Sequence, residues 1–208
     1  MTALLTAADL EHGFGPRRLF SGLDFSLAAG ERLAVTGPNG AGKSTLLRIL
    51  AGLIRPRAGR VRVAGLPAGE PAARAALGWY GHDAGLQPAL SGRENLAWAL
   101  AVTRPAAVGE IDAEAGRWGA AGWLDRPARG YSAGQGRRLA LLRAFAGAPP
   151  VLLLDEPFTA LDAEGAATLA ARLGAHPGAA VFSTHDRAAL DHANRRLALD
   201  GAGGWALD

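Results

Sequence analysis

The chain has 208 residues, enough for one domain or one domain with a small lobe, and its 49% hydrophobic and 20% charged residues exclude a disordered chain. The 29 glycines and 12 prolines follow no G-x-y period, which excludes collagen, and the lack of cysteine excludes disulfides, thiolate metal sites and cysteine nucleophiles. A net charge of +3 is too small to argue for a nucleic-acid partner.

Residues 4–10 and the alternating stretch 19–27 (Leu19, Leu23, Phe25, Leu27) predict strands, with a turn at Gly30. A short strand at 32–36 runs into Gly37-Pro-Asn-Gly-Ala-Gly-Lys-Ser44, and residues 45–51 have helical spacing that stops at Gly52. Residues 61–63 predict a strand, 65–71 a connection, and 77–80 a strand ending at Gly81-His82. From 93 to 124 the pattern is mostly helical and rich in alanine and tryptophan; Trp98, Trp118 and Trp123 are assigned to the core of this small lobe. A helix at 135–146, an apolar strand at 151–154, a helix at 165–173, a strand at 179–183 and a helix at 187–194 complete the pass. Strands alternating with helices predict an α/β domain with a largely parallel sheet.

The longest apolar run, 144–154, holds two prolines and is far short of the ~18 residues that cross a bilayer. The first residues do not read as a secretory signal, so a soluble, cytosolic chain is expected.

Gly37-x-x-x-x-Gly42-Lys43-Ser44, between a strand and a helix, is the pattern of a phosphate-binding loop. Backbone N–H groups and the helix dipole cradle phosphate, glycines allow the backbone close to the anion, Lys43 bridges β- and γ-oxygens, and Ser44 ligates Mg²⁺. Of the 22 basic residues only Lys43 is a lysine, at the place where a compact, flexible ammonium is needed. The strand 151–154 delivers Asp155 and Glu156 at its C-terminal end. Asp155 is expected to hold Mg²⁺ through water and Glu156 to accept a proton from the attacking water.

Tyr131-Ser132-Ala133-Gly134-Gln135 opens a helix some 20 residues before this acidic pair. Here the sequence resembles the ATP-binding-cassette (ABC) ATPases. The resemblance implies a P-loop NTPase of ABC type, with a mostly parallel sheet, an N-terminal antiparallel β part and a small helical lobe. It implies one domain over 1–208, with 1–89 and 131–208 as catalytic core and 90–130 as helical subdomain. Residues Gly37, Pro38, Asn39, Gly40, Ala41, Gly42, Lys43, Ser44 and Thr45 would bind ATP phosphates, with Mg²⁺ on Ser44 and Asp155. Phe14 falls where a ring stacks on adenine. Ser132, Ala133, Gly134 and Gln135 would reach the nucleotide of a second copy. Thr159-Ala160-Leu161-Asp162 matches the D-loop, and His185 the histidine that donates to the γ-phosphate. His82 stands at the place of the usual Q-loop glutamine.

Within that family the chain is most similar to the haem-exporter ATPases of cytochrome c maturation. The resemblance is carried by Leu19-Phe-Ser-Gly-Leu23, Gly81-His-Asp-Ala-Gly-Leu86, Ser132-Ala-Gly-Gln135 with Arg137-Arg138, and Asp155-Glu-Pro-Phe-Thr-Ala-Leu-Asp162. Tyr131 replaces the usual leucine, and Gly136 stands where the subfamily commonly has glutamine. The resemblance implies a homodimer on integral membrane permease subunits at the cytoplasmic face of the bacterial inner membrane. Neither nucleic acid nor direct haem binding is expected; His12, His176 and His192 are assigned to solvent or packing. Two alternatives stay open: the ATPase of another ABC exporter with a different cargo, and a soluble ABC ATPase acting on nucleic acid or ribosomes.

Overall fold

The structure, a computed structural model, describes residues 2–81 and 84–208. Its strands form two sheets. In the first, β2 (Arg17–Leu27), β1 (Leu5–Phe14), β4 (Ala58–Val63) and β5 (Leu66–Pro67) lie in that order, all antiparallel. The alternation of Leu23, Phe25 and Leu27 with exposed Asp24 and Ser26 explains why one face of β2 is buried and the other wet.

The second sheet runs β10 (Trp205–Leu207), β9 (Arg195–Leu199), β3 (Arg32–Thr36), β8 (Ala179–Ser183), β7 (Val151–Leu154) and β6 (Leu77–Tyr80). Only the β9–β10 pair is antiparallel. Strands β7 and β8 are buried at every residue, as uninterrupted apolar runs in a parallel sheet must be. The register carries the C-terminal ends of β3, β7 and β8 to one edge, where α/β proteins keep their ligands.

Among the described residues six α-helices cover these sheets: α1 (Lys43–Leu50), α2 (Pro71–Ala75), α3 (Gly92–Thr103), α4 (Ile111–Arg117), α5 (Ala133–Phe145) and α6 (Ala163–Gly174). Capping boxes start α3 (Ser91 with Glu94) and α5 (Ser132 with Gln135), and Asp162 caps α6. One core cluster packs α1 between the two sheets; the other fills the opposite face of the parallel sheet with residues from α3 to α6. Helix α4 is tied to α6 by the buried Glu114, which accepts from Arg117 of its own helix and from Arg172 at 2.8 Å. Arg104 ends α3 by donating to the carbonyls of Arg143 and Ala144 at the end of α5, and its burial pulls its pKa down to about 10. Among the described residues no helix is long and apolar enough to cross a membrane.

Several sequence expectations need correction. The helix expected at 187–194 is only a 3₁₀ turn, Ala188–His192. The connection at 65–71 contains β5 and the start of α2. Strands β9 and β10 give no clear sequence signal, because Arg195 and Arg196 open a strand that is defined by its register on β3. Trp118 is buried in the lobe as expected, but Trp98 is 67% exposed. The inward stripe of α3 is Leu96 and Leu100, so Trp98 and Val102, spaced by four residues, share the outward stripe.

Candidate active site

The loop between β3 and α1 can form because of its glycines. Gly37, Gly40 and Gly42 have φ of 140°, 78° and 106°, and a Cβ on Gly37 would lie 2.3 Å from the Leu199 carbonyl oxygen. No side chain caps α1, so its first-turn N–H groups remain available to an anion. Lys43 is almost buried and folds back on the loop, its Nζ donating to the carbonyls of Gly37 (2.9 Å) and Pro38 (3.3 Å). Ala41 is buried behind the loop, its N–H on the Pro38 carbonyl.

Asp155 leaves β7 with its N–H donated to the Tyr80 carbonyl and its side chain 3% exposed. Its Oδ1 accepts from Ser44 Oγ at 3.0 Å and from Ser183 Oγ at 2.7 Å. The Ser183 hydroxyl in turn accepts from the Glu156 N–H at 2.8 Å, so one fully buried serine holds both acidic residues. Glu156 has φ of 52°, a left-handed conformation costly for a non-glycine residue. It is fixed there by that bond and by its carbonyl, which accepts from the Thr159 N–H at 3.1 Å. The Glu156 carboxylate meets His185 Nδ1 at 2.8 Å.

This contact defines what His185 can do. A neutral ring with its proton on Nδ1 donates to Glu156 and presents Nε2 as an acceptor; donating from Nε2 as well requires the imidazolium. The structure therefore brings His185 to the carboxylate rather than to the loop.

Ser44 and Asp155 offer a hydroxyl and a carboxylate oxygen side by side, the hard donors Mg²⁺ prefers. Mg²⁺ needs only one or two protein oxygens when phosphates and water complete its shell, which fits a site without an all-protein cage: no cluster of three acidic or histidine ligands exists among the described residues.

A cleft of about 540 Å³ extends from the loop, lined by Asn39, Gly40, Lys43, Ser44, Thr45 and Glu156, and at its far wall by Phe14, Arg17 and Leu19. The Phe14 ring is 57% exposed and stands edge-on to His12 at 5.1 Å, leaving it free to stack.

Ser132, Ala133, Gly134 and Gln135 do not line this cleft. Ser132 Oγ accepts from the Gln135 N–H and the Gln135 side chain accepts from the Ser132 N–H, both at 3.1 Å. This segment is fastened to residues 160–164 by two arginines of α5. Arg138 pairs with Asp162 at 2.7 Å and Glu164 at 2.9 Å, and Arg137 donates to the Ala160 carbonyl. The Arg138 bond and the Gly165 N–H hold the Asp162 carboxyl below its usual range.

Sequence reasoning missed Ser183 and Arg17. A polar residue ending the apolar strand β8, level with Asp155, was the available signal for Ser183. For Arg17 it was the two-residue gap from Phe14. His82 lies outside the described residues. His12 and His176 are buried and His192 stacks on Phe158 at 5.1 Å, so these three serve packing as expected.

The ABC transporter family model matches residues 20–159. The cytochrome c biogenesis ATP-binding export protein CcmA of Pseudomonas putida is 46% identical over 190 residues, covering 89% of this chain and 90% of that protein. Its counterpart CcmA 2 of Salmonella paratyphi A is 42% identical over 209 residues, covering 95% and 98%. Among solved structures, an ATP-binding subunit of an ABC transporter superposes with a TM-score of 0.90 over 99% of this chain and 89% of its own, at 24% identity, a likeness of fold. An ATP-bound bacterial Atm1-family ABC exporter gives 0.81 at 28% identity, over 98% of this chain and 38% of that one. The family model spans most of the chain, the CcmA relatives match it along nearly their whole length, and the chain belongs to the ABC transporter family as one of its ATP-binding subunits.

Proposed function

We propose that the chain is the ATP-hydrolysing subunit of a membrane transporter complex that serves cytochrome c biogenesis. The observation that carries the chemistry is the relay from Ser44 through Asp155 and Ser183 to Glu156, closed by His185. The cytochrome c biogenesis role named for the CcmA relatives supports the pathway.

In this reading the phosphates of ATP lie on the N–H groups of residues 37–45, and Phe14 supports the adenine. Water attacks the γ-phosphorus in line, the bond to the β,γ-bridging oxygen breaks, and Glu156 takes the water's proton on its carboxylate. Lys43 moves from the loop carbonyls to the β- and γ-oxygens, where its charge offsets that of the transition state. His185 holds the Glu156 carboxylate in orientation. Mg²⁺, held by Ser44 and Asp155, would neutralise phosphate charge.

The signature segment stands apart from the cleft of its own chain, which supports a head-to-tail homodimer in which Ser132 and Gly134 complete the partner's site. Residues 1–89 and 131–208 would act as the catalytic core and 90–130 as the helical subdomain. An apolar groove of about 350 Å³ between the end of α1, β6 and α3, lined by Leu53, Trp79, Trp98 and Val102, suits a cytoplasmic helix of a membrane permease. The chain would then sit peripherally on the cytoplasmic face of the inner membrane and power the handling of haem without binding it.

The test is haem staining of c-type cytochromes in a host lacking its own maturation ATPase, supplied with the native membrane partners and either this chain or Glu156→Gln. Staining restored only by the unaltered chain supports both the pathway and its need for hydrolysis. Failure of both forms, each well expressed and bound to its partners, gives up the haem role in favour of another ABC exporter.

A further inference from the structure

Strands β1 and β2 are joined by the two-residue turn Gly15-Pro16, which sets Phe14 and Arg17 directly opposite each other. Opposed residues of an antiparallel pair project on the same face with Cβ atoms about 5 Å apart, so an aromatic ring and a guanidinium stand side by side at the tip of the hairpin. The tip is anchored: Arg57 donates to the Gly15 carbonyl at 2.9 Å. The neighbouring Arg18 is directed elsewhere, to Glu11 at 3.7 Å. Arg17 instead reaches the apex of the phosphate loop, where its Nη2 donates to the Gly40 carbonyl at 2.9 Å.

Among the described residues, Arg17 and Lys43 are the two cationic residues lining the cleft. They occupy different stations. Lys43 lies at the base of the loop, on the carbonyls of Gly37 and Pro38. Arg17 lies at its apex, next to the ring on which a base would stack. A guanidinium carries five N–H donors, and the bond to Gly40 uses one. The others are available at the mouth of an anion-binding loop, between ring and loop, the stretch that the first phosphate after the ribose must cross.

We infer that Arg17 is a second phosphate-binding residue, contacting the α-phosphate of a nucleoside di- or triphosphate and setting affinity independently of the γ-phosphate. This rests on the reading of the cleft as the ATP site. Arg17 thus couples the aromatic platform to the loop: the hairpin that supports the base also supplies charge to the phosphate chain.

The test is equilibrium binding of ATP, ADP and adenosine to the full chain and to Arg17→Ala, Arg17→Gln and Arg17→Lys, with melting temperatures taken without nucleotide. Arg17→Ala is expected to weaken ATP and ADP by the same factor, about tenfold or more, and to leave adenosine and the melting temperature unchanged. Arg17→Gln keeps a donor for Gly40 without the charge and is expected to bind as weakly as Arg17→Ala, whereas Arg17→Lys recovers part of the loss. Wild-type affinity in Arg17→Gln would reduce Arg17 to a clamp on the loop and overturn the assignment. So would a loss confined to ATP, or one that extends to adenosine with a lowered melting temperature. A folded wild-type chain that binds neither ATP nor ADP would overturn the ATP reading itself, a result distinct from wild-type binding in the Arg17 variants.

Discussion

Nδ1 of His185 lies 2.8 Å from Oε2 of Glu156, and the Thr159 hydroxyl donates to the same oxygen at 3.4 Å. Two donors on one carboxylate oxygen restrict the rotation of the side chain, while its backbone is already confined to φ of 52°. A carboxylate held in this way meets the geometric demand on a general base before substrate arrives. Losing one of two such donors should cost orientation rather than binding.

Glu156→Gln keeps the shape of the side chain and removes its basicity. The variant is expected to bind ATP, to hydrolyse it at least about 100-fold more slowly, and to accumulate as a nucleotide-bound dimer. Steady-state turnover together with light scattering in ATP and Mg²⁺ checks this. Turnover near the wild-type rate would remove Glu156 from the base role.

Ser183 joins Asp155, the proposed Mg²⁺ ligand, to Glu156, the proposed base. Its hydroxyl donates to Asp155 Oδ1 at 2.7 Å and accepts from the Glu156 N–H at 2.8 Å, with no exposure to solvent. Ser183→Ala leaves a buried N–H unpaired and removes a donor from a buried carboxylate, a destabilisation of about 1–3 kcal/mol. Urea denaturation should show a lower midpoint at unchanged slope, and the Mg²⁺ concentration that gives half-maximal ATPase rate should shift. A variant that matches the wild type in both measurements would show that Asp155 and Glu156 are held independently of Ser183.

The edge of the parallel sheet that carries the candidate site was legible because the signals there are local. Strands β3, β6, β7 and β8 are short apolar runs, and each is followed by a glycine or by residues of polar chemistry. The phosphate-loop pattern, the acidic pair and the Ser132 cap are each contiguous. What escaped depends on residues distant in sequence. Ser183 belongs to the site only because β8 lies between β3 and β7, and Arg17 only because a hairpin brings it over Gly40. Strand β9 opens with two arginines and is recruited by its register on β3, and the exposure of Trp98 follows from the stripe α3 turns inward.

Tyr131, which replaces the family's usual leucine, fastens the signature segment to the helical lobe. Its hydroxyl accepts from the Gly92 N–H at 2.9 Å and faces the carbonyls of Trp123 and Leu124, each at 3.1 Å, to which its one proton can be donated. A Cβ at position 92 would lie 2.4 Å from that oxygen, so the tyrosine and the glycine require each other. Tyr131→Phe is expected to cost about 1–3 kcal/mol by orphaning the N–H. Gly92→Ala should be destabilising alone and less so in the Tyr131→Phe background, because removing the hydroxyl frees the space. A double-mutant cycle by chemical denaturation measures this coupling, and strict additivity would deny it.

His176 makes stability depend on pH. It is 7% exposed, its Nε2 has no hydrogen-bond partner, and it packs edge-on to Phe145 at 6.2 Å. Burial first, and then the Arg172 charge, push its pKa from 6.5 down to about 4. Above pH 6.5 the ring is neutral in both the folded and the unfolded chain, and its contribution is fully present. As pH falls through 6.5 towards 4 the unfolded chain takes up the proton and the folded chain does not, so stability is lost across that window. The loss is on the order of 2 kcal/mol once partial solvation of the ring is allowed for. His176→Leu removes this titration while the carboxylates common to both proteins continue to titrate. The difference in unfolding free energy between wild type and variant should therefore be constant above pH 6.5 and move steadily in the variant's favour down to pH 4. Parallel curves for the two proteins over that range would show that His176 is protonated equally in the folded and unfolded states.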